Sequence, residues 1–389
     1  MALEAIISGG GIGGLTTATA LAQRGWDVTV YEANPGLRVT GSGIYLWSNG
    51  LNVLRDIGAY DEVLQDPFWV KGVESRNEKN EIMLPSYVPP GLEILCVARS
   101  QLLEGLEKAA RKAGVTIRTS EPVVRAQADG TFFFPSGDRV KADLAIGCDG
   151  SSSAVRRTLG LETQFTRMIE GALRVIVPGA QSELPEDQRG IGVETWNGAR
   201  RFLVSPISED KIYLAMSCLE ADATGRSRQI DESWKKAFPK WAFLIDRIDP
   251  KEVFWNTFAC VKSDRWSAGN ACILGDAAHA QPPNIGQGGG QAMVNGIALA
   301  AYMAQVTDAR DVPEALAAWE KAVRPVTDEC QRWSTLMSEL VTIPNEVRTS
   351  FMKALGQNEW LGSRLFTPGY TKPITKADWR PNQRQASAQ

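Results

Sequence analysis

Two glycine-rich segments, far apart in the chain, limit what this sequence can fold into. The first, Gly9–Gly14, fits the pattern G-x-G-x-x-G and lies between a short apolar strand at 5–7 and a helical pattern at 15–24. Glycines at such a turn permit a tight bend, close approach of a pyrophosphate to the backbone, and packing of the helix on the strand. The helix N-terminus adds free N–H groups and a partial positive charge, so the segment predicts a phosphate site.

An acidic residue follows at the distance that a dinucleotide site requires. A second predicted strand, Val28–Tyr31, ends at Glu32, where a carboxylate can accept hydrogen bonds from a ribose. A glycine-rich turn without a ligand is the alternative interpretation. Strand, helix and acid occur together in the expected order, so the sequence favours a dinucleotide site.

The second glycine-rich segment follows another apolar strand and begins with Gly275 and Asp276. The carboxylate can accept from a sugar or ribityl hydroxyl. Further glycines, Gly286–Gly290, open a helix whose N-terminus would stabilise negative charge on a flavin ring. The alternative is an ordinary strand-to-helix connection with Asp276 as its N-cap. Together with the first segment, and with Asp149 between the two, this segment favours FAD over NAD.

Composition excludes several classes of partner. The 389 residues carry a formal net charge of −3, so nucleic acids and anionic membranes would meet no basic surface. No apolar run is long enough to cross a bilayer, and the first strand begins too close to Met1 for a signal peptide. The six cysteines contain no C-x-x-C pair. We therefore expect a cytoplasmic protein with reduced thiols.

The chain has one histidine, His279, which lies in the second glycine-rich segment. A Ser-His-Asp triad would have to be built on it, and a His-ligated metal site would lack partners. We therefore predict no metal site and expect the difficult chemistry to come from a bound cofactor. His279 itself is expected to be structural.

Alternating strands and helices predict an α/β fold with a Rossmann-like FAD-binding domain of the glutathione-reductase type. Strand patterns separated by turns fill much of 170–261 and predict a mainly antiparallel sheet domain for the substrate, inserted twice. The predicted boundaries are 1–72, 97–165 and 262–340 for the discontinuous FAD-binding domain, 73–96 and 166–261 for the substrate domain, and 341–389 for a C-terminal helix and tail.

These motifs resemble those of the single-component FAD-dependent aromatic monooxygenases, the para-hydroxybenzoate hydroxylase-like family. The resemblance spans nearly the whole chain and depends on Gly9–Gly14 with Glu32, on Asp149-Gly150, and on Gly275–His279 with the glycines that follow. It implies that NAD(P)H is a transient reductant without a domain of its own, and that O₂ reacts to give a flavin C4a-hydroperoxide. The absence of a second G-x-G-x-x-G after a strand agrees with this.

The resemblance also implies a set of FAD-binding residues. Glu32 would bind the adenosine ribose, Arg38 and Arg99 the pyrophosphate side, and Asp276 the ribityl chain. Asp149 would serve both the pyrophosphate and the reductant. The full set is Gly9, Gly11, Ile12, Gly13, Gly14, Glu32, Ala33, Arg38, Arg99, Asp149, Asp276, Pro283, Gly286, Gln287, Gly288 and Gly289.

Some residues depart from the usual family pattern, notably Gly290 and Val294-Asn295 after the second glycine run. With the segment 41–47, they resemble the branch that oxygenates and opens 3-hydroxypyridine carboxylates, the 2-methyl-3-hydroxypyridine-5-carboxylate oxygenase-like enzymes. That branch implies a substrate pocket, and the matching residues here are Tyr45, Arg174, Arg201 and Tyr213, with Pro283 beside them. Among the tryptophans, Trp47 is the one expected near the flavin.

The chemistry of the pocket suggests roles for these residues. An electrophilic oxygen requires an electron-rich ring, so Tyr213 could activate a phenol-like group, and Arg174 or Arg201 could bind a carboxylate bidentately. Tyr213, Arg201 and Tyr45 are the predicted catalytic residues. The alternatives are core tyrosines with satisfied hydroxyls and arginines that are only surface charges.

The sequence thus predicts an FAD-dependent monooxygenase that uses NAD(P)H and O₂ to oxygenate a small hydroxylated aromatic or pyridine-type acid, by hydroxylation or by ring opening. Two alternatives stay open. A flavin dehydrogenase or reductase of the same fold would add no oxygen, and a non-enzymatic binding protein would keep the FAD-type fold as a scaffold. No nucleic acid or membrane partner is expected, and association into a homo-oligomer is left open.

Overall fold

The computed structural model describes residues 2–36, 42–65, 67–230 and 232–381. Its strands, in chain order, are β1 (Glu4–Ser8), β2 (Asp27–Tyr31), β3 (Gly43–Trp47), β4 (Val73–Arg76), β5 (Ile82–Leu84), β6 (Ile94–Ala98), β7 (Thr116–Arg118), β8 (Arg125–Ala126), β9 (Thr131–Phe133), β10 (Arg139–Lys141), β11 (Leu144–Gly147), β12 (Gln164–Pro178), β13 (Gly192–Asn197), β14 (Arg200–Pro206), β15 (Lys211–Leu219), β16 (Phe254–Lys262), β17 (Ser267–Ala268) and β18 (Ala271–Ile273).

The α-helices of the described residues are distributed along the whole chain. They are α1 (Ile12–Ala22), α2 (Ser48–Asp56), α3 (Tyr60–Val63), α4 (Arg99–Lys112), α5 (Ala154–Thr158), α6 (Glu232–Ala237), α7 (Ala242–Ile245), α8 (Asp276–His279), α9 (Gly288–Met303), α10 (Val312–Glu339), α11 (Asn345–Gln357) and α12 (Glu359–Phe366). No helix in this part of the chain combines the length and the apolar character that a membrane span needs.

The first sheet is largely parallel and has the strand order β17-β18-β11-β1-β2-β7. Pairs β1–β2, β1–β11, β11–β18 and β2–β7 are parallel, and only β17–β18 is antiparallel. Strands β1, β2 and β11 supply almost continuous buried residues to one large core, which also contains side chains of α1, α4 and α9. Near-continuous apolar strands are what a parallel sheet buried on both faces requires. The predicted α/β fold is confirmed.

The second sheet has the order β16-β12-β15-β14-β13-β4-β5 and is antiparallel except for the pair β13–β4. Successive residues of its strands point to opposite faces. Leu173, Val175 and Val177 of β12 pack in a core with Trp234 and Trp241 from the α6–α7 region. The alternate residues of the same strands face a large cavity. One face of the sheet is therefore free to supply side chains to a ligand.

Helices α1 and α9 bring the two glycine-rich segments together. The helices pack closely at Gly296, where an added Cβ would lie 2.4 Å from Thr17 Oγ1. At the beginning of α1, a Cβ on Gly13 would meet Leu274 at 3.0 Å and Ala292 at 3.3 Å. Two segments that are distant in the sequence therefore form one surface.

The C-terminal region contains two helices, α11 and α12, where the sequence predicted one. Met352, Leu355 and Leu365 from this region pack with Met83 and with Trp196 of β13. This places the C-terminal helices beside the second sheet. Strands β4 and β5 and strands β12 to β16 belong to that sheet, while the exact residues at which the domains divide stay a prediction.

Candidate active site

A single large cavity joins the two glycine-rich segments to the free face of the second sheet. Its volume is about 500 Å³. One part of its wall is backbone from Gly11–Gly13, Gly275 and Gly286–Gly289 together with Asp276 and Arg99. The other part consists of side chains from the sheet and from the C-terminal region. We call the first part the glycine wall and the second part the sheet wall.

The glycines of the first turn serve different purposes. A Cβ on Gly9 would lie 2.4 Å from Cys148 O, and one on Gly14 would lie 2.0 Å from Gly9 O, so both positions require glycine for packing. Gly9 also has φ +102°, a conformation that favours glycine. At Gly11, by contrast, an added Cβ would meet nothing within 4 Å, and the residue lines the cavity. Gly11 therefore leaves room for a ligand to approach the backbone, as Gly13 and Ile12 do beside it.

Glu32 at the end of β2 is only 9% exposed and is fixed to the first turn. Its Oε2 accepts a hydrogen bond from Gly10 N at 2.8 Å, and its Oε1 accepts one from Asn34 N at 2.9 Å. A carboxylate has about four acceptor sites, so it retains capacity for a ribose hydroxyl. Ala33 follows it at the surface. The predicted Arg38 lies outside the described residues.

Asp149 uses its carboxylate within its own loop. Oδ2 accepts from Ala154 N at 2.7 Å and from Val155 N at 3.1 Å, and Oδ1 accepts from Ser153 Oγ. These bonds satisfy the first N–H groups of α5. Its neighbours Cys148 and Gly150 line the cavity, whereas Asp149 is not among the lining residues. The structure therefore shows a loop-shaping role, and direct contact with FAD or the reductant stays a prediction.

Asp276 and Arg99 both line the cavity. The Asp276 side chain is exposed to the cavity, and desolvation by the surrounding protein raises the pKa of its carboxyl, although Arg99 acts in the opposite direction. Gly275 before it has φ +64°, which fits the tight passage from β18 to α8. The pair is placed where a ribityl and a phosphate group of FAD could meet an acceptor and a cation.

The second glycine run lines the cavity at Pro283, Gly286, Gly288 and Gly289. Gln287 between them is fully buried, and its Oε1 accepts from Asn49 Nδ2 at 3.0 Å. Its side chain thus ties the start of α9 to α2. Among the predicted FAD-binding residues, Gln287 fixes the loop, while its glycine neighbours present the backbone.

The glycine wall fits FAD. Helices α1 and α9 both begin at this wall, and neither has a side-chain cap or an acidic residue in its first turn. Their free N–H groups and partial positive charge suit the pyrophosphate and the electron-rich edge of a flavin ring. The glycines leave space that a side chain would fill. The residues that line this wall and would hold FAD are Gly11–Gly13, Arg99, Asp276, Gly286, Gly288 and Gly289. Glu32 is not among the cavity-lining residues, and its contact with the ribose stays a prediction.

The sheet wall is a row of residues that pair directly across six neighbouring strands. Strand register joins Leu84 to Ser75, Ser75 to Glu194, Glu194 to Leu203, Leu203 to Ala215, and Ala215 to Arg174. Residues that pair in register share a face of the sheet, and all six line the cavity. We call these six residues the cross-strand row. From one end to the other it presents a cation, two apolar side chains, a carboxylate, a hydroxyl and a final apolar side chain, in the order Arg174, Ala215, Leu203, Glu194, Ser75 and Leu84.

Arg174 and Tyr213 both line this wall, and the guanidinium is near enough to act on the pKa of the phenol. The guanidinium also lies 5.5 Å from the Phe258 ring centroid. Arg174 makes no ion pair within the described part of the chain. Burial raises the pKa of Tyr213, although Arg174 lowers it in part. Tyr213 therefore keeps its proton at neutral pH and can donate it in a hydrogen bond, while Arg174 can pair with an anion.

Arg201 lies in the same wall but is occupied by protein acceptors. Nε and Nη2 donate to Glu170, Nη1 donates to Glu194 at 3.4 Å, and both Nη atoms donate to Asn284 Oδ1 at 3.2 Å. These contacts use the five N–H groups that a guanidinium has. Arg201 is 3% exposed and Glu170 is fully buried. The structure thus places Arg201 where it supports the wall. Because protein acceptors use all its N–H groups, no free donor is seen for its predicted roles as carboxylate clamp and catalytic residue.

Tyr45 lies with its hydroxyl turned into the wall. It donates to Ser205 Oγ at 2.8 Å, and burial raises the pKa of the phenol well above its usual value. The start of the same strand is packed against Tyr213, since a Cβ on Gly43 would lie 2.5 Å from that ring. Tyr45 thus shapes the cavity with its ring, and a catalytic role for it stays a prediction. Trp47 lines the cavity as expected, and its indole nitrogen is buried without a partner in the described structure.

Sequence reasoning missed Glu194, Asn284, and the pair Leu365 and Phe366, all of which line the cavity. Glu194 Oε2 accepts from Trp196 Nε1 at 2.7 Å, and the ring of Trp196 lies between the guanidiniums of Arg201 and Arg348, at 4.8 and 4.7 Å from its centroid. A glutamate in a strand of alternating polar and apolar residues does not by itself indicate a functional site. The position of Glu194 in the cavity becomes clear only from the pairing of β13 with β4 and β14.

His279 is buried, as a structural histidine would be. Its Nε2 lies 3.1 Å from Asn295 Nδ2, which can only donate, so Nε2 accepts and the proton is assigned to Nδ1. The ring packs against Trp266 with 5.2 Å between centroids. Desolvation lowers its pKa to about 4. The imidazole is therefore neutral at physiological pH.

The comparison with protein families agrees with this geometry. The model of the family "FAD binding domain" matches residues 2–334. The chain belongs to this family, and it is an FAD-dependent monooxygenase of the single-component aromatic class. The predicted cofactor, FAD, and the predicted enzyme class are confirmed.

Relatives and solved structures are similar along almost the full length. A protein of Rhodococcus erythropolis named probable 2-heptyl-3-hydroxy-4(1H)-quinolone synthase is 37% identical over 360 residues, which cover 91% of this chain and 92% of that protein. The 2-heptyl-3-hydroxy-4(1H)-quinolone synthase of Mycobacteroides abscessus is 37% identical over 359 residues, or 91% and 95% of the two chains. The solved tetrameric form of 2-methyl-3-hydroxypyridine-5-carboxylic acid oxygenase has a TM-score of 0.85 at 32% identity, covering 98% of this chain and 100% of that one.

Proposed function

We propose that the protein uses NAD(P)H and O₂ to oxygenate an N-heteroaromatic ring of the pyridine or quinolone type that carries a hydroxyl, oxo or carboxylate group. The observation behind this proposal is the pair Arg174 and Tyr213 in the sheet wall. Together they offer a cation and an O–H donor to one anionic oxygen, and charge-assisted bonds of this kind are the strong ones.

The roles of the two walls follow from their chemistry. Bound FAD, reduced by NAD(P)H, would supply an electrophilic oxygen derived from O₂. Tyr213 and Arg174 would hold the ring oxygen or carboxylate of the substrate and so fix the ring in one orientation. Arg201, through Asn284, would hold the loop before Gly286 in place. Positioning of this kind is a large part of what an enzyme contributes when the cofactor carries the chemistry.

The relatives support an N-heteroaromatic substrate. The names of two of them contain a hydroxylated 4-quinolone, and the solved oxygenase is named for a 3-hydroxypyridine carboxylate. Both are nitrogen-containing rings with an oxygen substituent. Hydroxylation is the outcome we propose. Ring opening, with both atoms of O₂ retained, is the second candidate, and the similarity to the pyridine oxygenase favours it.

The cavity also has an apolar end. Leu84 of the cross-strand row, Met337, Leu365 and Phe366 all line it there. Apolar side chains gain about 25 cal/mol for each Å² removed from water, and a ligand gains in the same way. We therefore propose that the ring carries an apolar substituent, larger than the methyl group in the name of the pyridine oxygenase.

The test is a substrate screen with isotopic oxygen. Purified FAD-loaded protein is mixed with NADH or NADPH and with 4-quinolones, 3-hydroxypyridine carboxylates and hydroxybenzoates under ¹⁸O₂. We expect a quinolone or pyridine to stimulate NAD(P)H oxidation and to gain one labelled atom. Two labelled atoms would indicate ring opening. Reductant oxidation without any labelled product would overturn the proposal in favour of a flavin dehydrogenase.

Association of several copies is also proposed, because the solved pyridine oxygenase is described as a tetrameric form. Light scattering coupled to size-exclusion chromatography measures the mass directly. A mass of a single 42.4 kDa chain would reject this part of the proposal.

A further inference from the structure

Glu194 is the acidic side chain of the sheet wall, and nothing above assigns it a partner in the substrate. Besides Asp276, which belongs to the glycine wall, it is the carboxylate among the cavity-lining residues of the described structure. Its side chain is 23% exposed. Because it lies in the cross-strand row rather than at the rim, it faces whatever the row binds.

The carboxylate of Glu194 is held in place and still has acceptor capacity. Oε2 accepts from Trp196 Nε1 at 2.7 Å, and Oε1 faces Arg201 Nη1 at 3.4 Å. Trp196 is itself fixed between two guanidiniums. A carboxylate offers about four acceptor sites, and these contacts use two of them. Glu194 is therefore a preorganised carboxylate that can accept a further hydrogen bond.

The surroundings of Glu194 leave it able to accept from a donor. Glu170 and Glu194 share the guanidinium of Arg201, and the guanidinium of Arg348 lies 4.7 Å from the Trp196 ring centroid. The two carboxylates and two guanidiniums balance in charge, and an N–H group is the partner that a partly exposed carboxylate can still accept from. Arg174 lies at one end of the row, and its charge lowers the pKa of Tyr213 beside it. The wall thus offers a cation to an oxygen at Arg174 and an acceptor to an N–H at Glu194.

The distance between Glu194 and Arg174 suits one ring system. Glu194 and Arg174 are separated by three strand-to-strand steps, through Leu203 and Ala215. At about 4.8 Å for each step, their Cα atoms are roughly 14 Å apart. Two long side chains and a planar ring fit within this distance. Leu203 and Ala215 in the centre of the row are small enough and apolar enough to pack under the ring.

We propose that Glu194 accepts a hydrogen bond from the ring N–H of the substrate, and that the substrate class is an N-heteroaromatic ring whose N–H and whose oxygen lie on opposite sides, as in a 4-quinolone or a 4-pyridone. This inference rests on the proposed function and specifies the substrate for it. Glu194 is then a substrate-binding residue that fixes which edge of the ring faces Arg174 and Tyr213. A ring with an oxygen substituent but no N–H would leave Glu194 without its donor.

The experiment compares three probes of nearly equal shape. They are 4-quinolone, its N-methyl derivative, and chromone, in which oxygen replaces the N–H group. Dissociation constants are measured by calorimetry on FAD-loaded protein without reductant, so that turnover plays no part. A hydrogen bond to a charged group corresponds to a difference of at least about tenfold, and we expect 4-quinolone to bind more tightly than the other two by that factor.

The variant Glu194→Gln provides the second half of the test. The amide keeps the size and one acceptor oxygen but loses the charge, so we expect the preference for 4-quinolone to fall to about threefold. Glu220→Gln is the control, because Glu220 directly follows β15 of the same sheet but is not a cavity-lining residue, and it should keep the full preference. FAD content and thermal unfolding show whether each variant is folded.

The possible outcomes separate this inference from the proposed function. Equal binding of the three probes by the wild-type protein, or an unchanged preference in a folded Glu194→Gln variant, would overturn the role of Glu194 and leave the oxygenase proposal standing. If Glu194→Gln does not fold, the wild-type probe series alone decides. Binding of hydroxybenzoates but of none of the N-heteroaromatic rings would overturn both.

Discussion

The two walls of the cavity are built in different ways, and the difference explains which residues can change. The glycine wall presents backbone from Gly11–Gly13, Gly275 and Gly286–Gly289, so its chemistry is that of N–H groups and helix ends. The sheet wall presents side chains from six strands. A ligand group common to all members of a family can be held by backbone, whereas a variable substrate requires exchangeable side chains. The cofactor wall is therefore fixed and the substrate wall is adjustable.

The largest effect is expected when Arg201, the cation that supports the sheet wall, is removed. Arg201→Met leaves the fully buried Glu170 without its ion pair, and breaking such a pair costs about 3–5 kcal/mol. Denaturant unfolding should show a loss of that size in the free energy of unfolding. The double variant Arg201→Met/Glu170→Gln should recover part of it, because no charge is then left buried. If Arg201→Met were as stable as the wild-type protein, Arg201 could be replaced as freely as the other side chains of the sheet wall.

In the second glycine-rich segment, the buried His279 should make the free energy of unfolding depend on pH. Its folded-state pKa is about 4, below the usual value of 6.5, because burial disfavours the charged imidazole. The unfolded chain therefore takes up a proton first as the pH falls, and stability is lost between about pH 6.5 and pH 4. The full loss is about 3 kcal/mol, at 1.36 kcal/mol per pKa unit.

The measurement for His279 compares two pH series. Free energies of unfolding of the wild-type protein and of His279→Gln are determined from pH 7 to pH 4, and the difference between the two curves isolates this one group. Glutamine retains an oxygen that can accept from Asn295. Parallel curves would contradict the depressed pKa.

Arg174 should contribute to substrate binding without being needed for FAD binding or stability. Arg174→Met removes the cation that pairs with the substrate oxygen, and a bond to a charged group is worth about 1.5–3 kcal/mol, or about 10–100-fold in KM. FAD content and stability should stay close to wild type, since Arg174 makes no ion pair with described residues. Arg167→Met on the same strand is the control, because Arg167 is exposed. Equal KM values for both variants would remove Arg174 from the substrate site.

The smallest expected effect concerns a single added methyl group in the glycine wall. Gly11→Ala and Gly36→Ala both place a Cβ where no atom of the described residues lies within 4 Å, and of the two only Gly11 is among the described residues that line the cavity. We expect both variants to fold with normal stability. Gly11→Ala should bind FAD about tenfold more weakly, since close backbone approach to the pyrophosphate requires glycine there. Flavin titration measures this, and equal affinities would mean that the backbone at Gly11 does not contact the cofactor.

The glycine wall could be predicted from the sequence because its motifs are contiguous. Gly9–Gly14 with Glu32 and Gly275–Asp276 each stand in a strand-turn-helix context, and the structure brings them together as expected. The α/β fold was predictable from the alternation of strands and helices for the same reason.

The sheet wall could be predicted only in part. Tyr45, Arg174, Arg201 and Tyr213 do line the cavity, but the sequence does not show that the donors of Arg201 are all taken. Nor does it show that Tyr45 points to Ser205 or that Glu194 belongs to the site. These facts depend on the register between strands that are far apart in the sequence, as for Ser75 and Glu194, and no local pattern specifies that register. The second C-terminal helix, α12, was missed for a similar reason, since it depends on packing against α11, which in turn packs on β5.

The cross-strand row also has a consequence for engineering. Its residues come from three separate parts of the sequence, 75–84, 174 and 194–215, so a library confined to one short segment would sample only part of the row. Randomising positions 75, 84, 203 and 215 together, with Arg174 and Glu194 kept, would vary the surface beneath the ring while the two residues that orient it remain. Substrate range could then be redirected without disturbing the flavin.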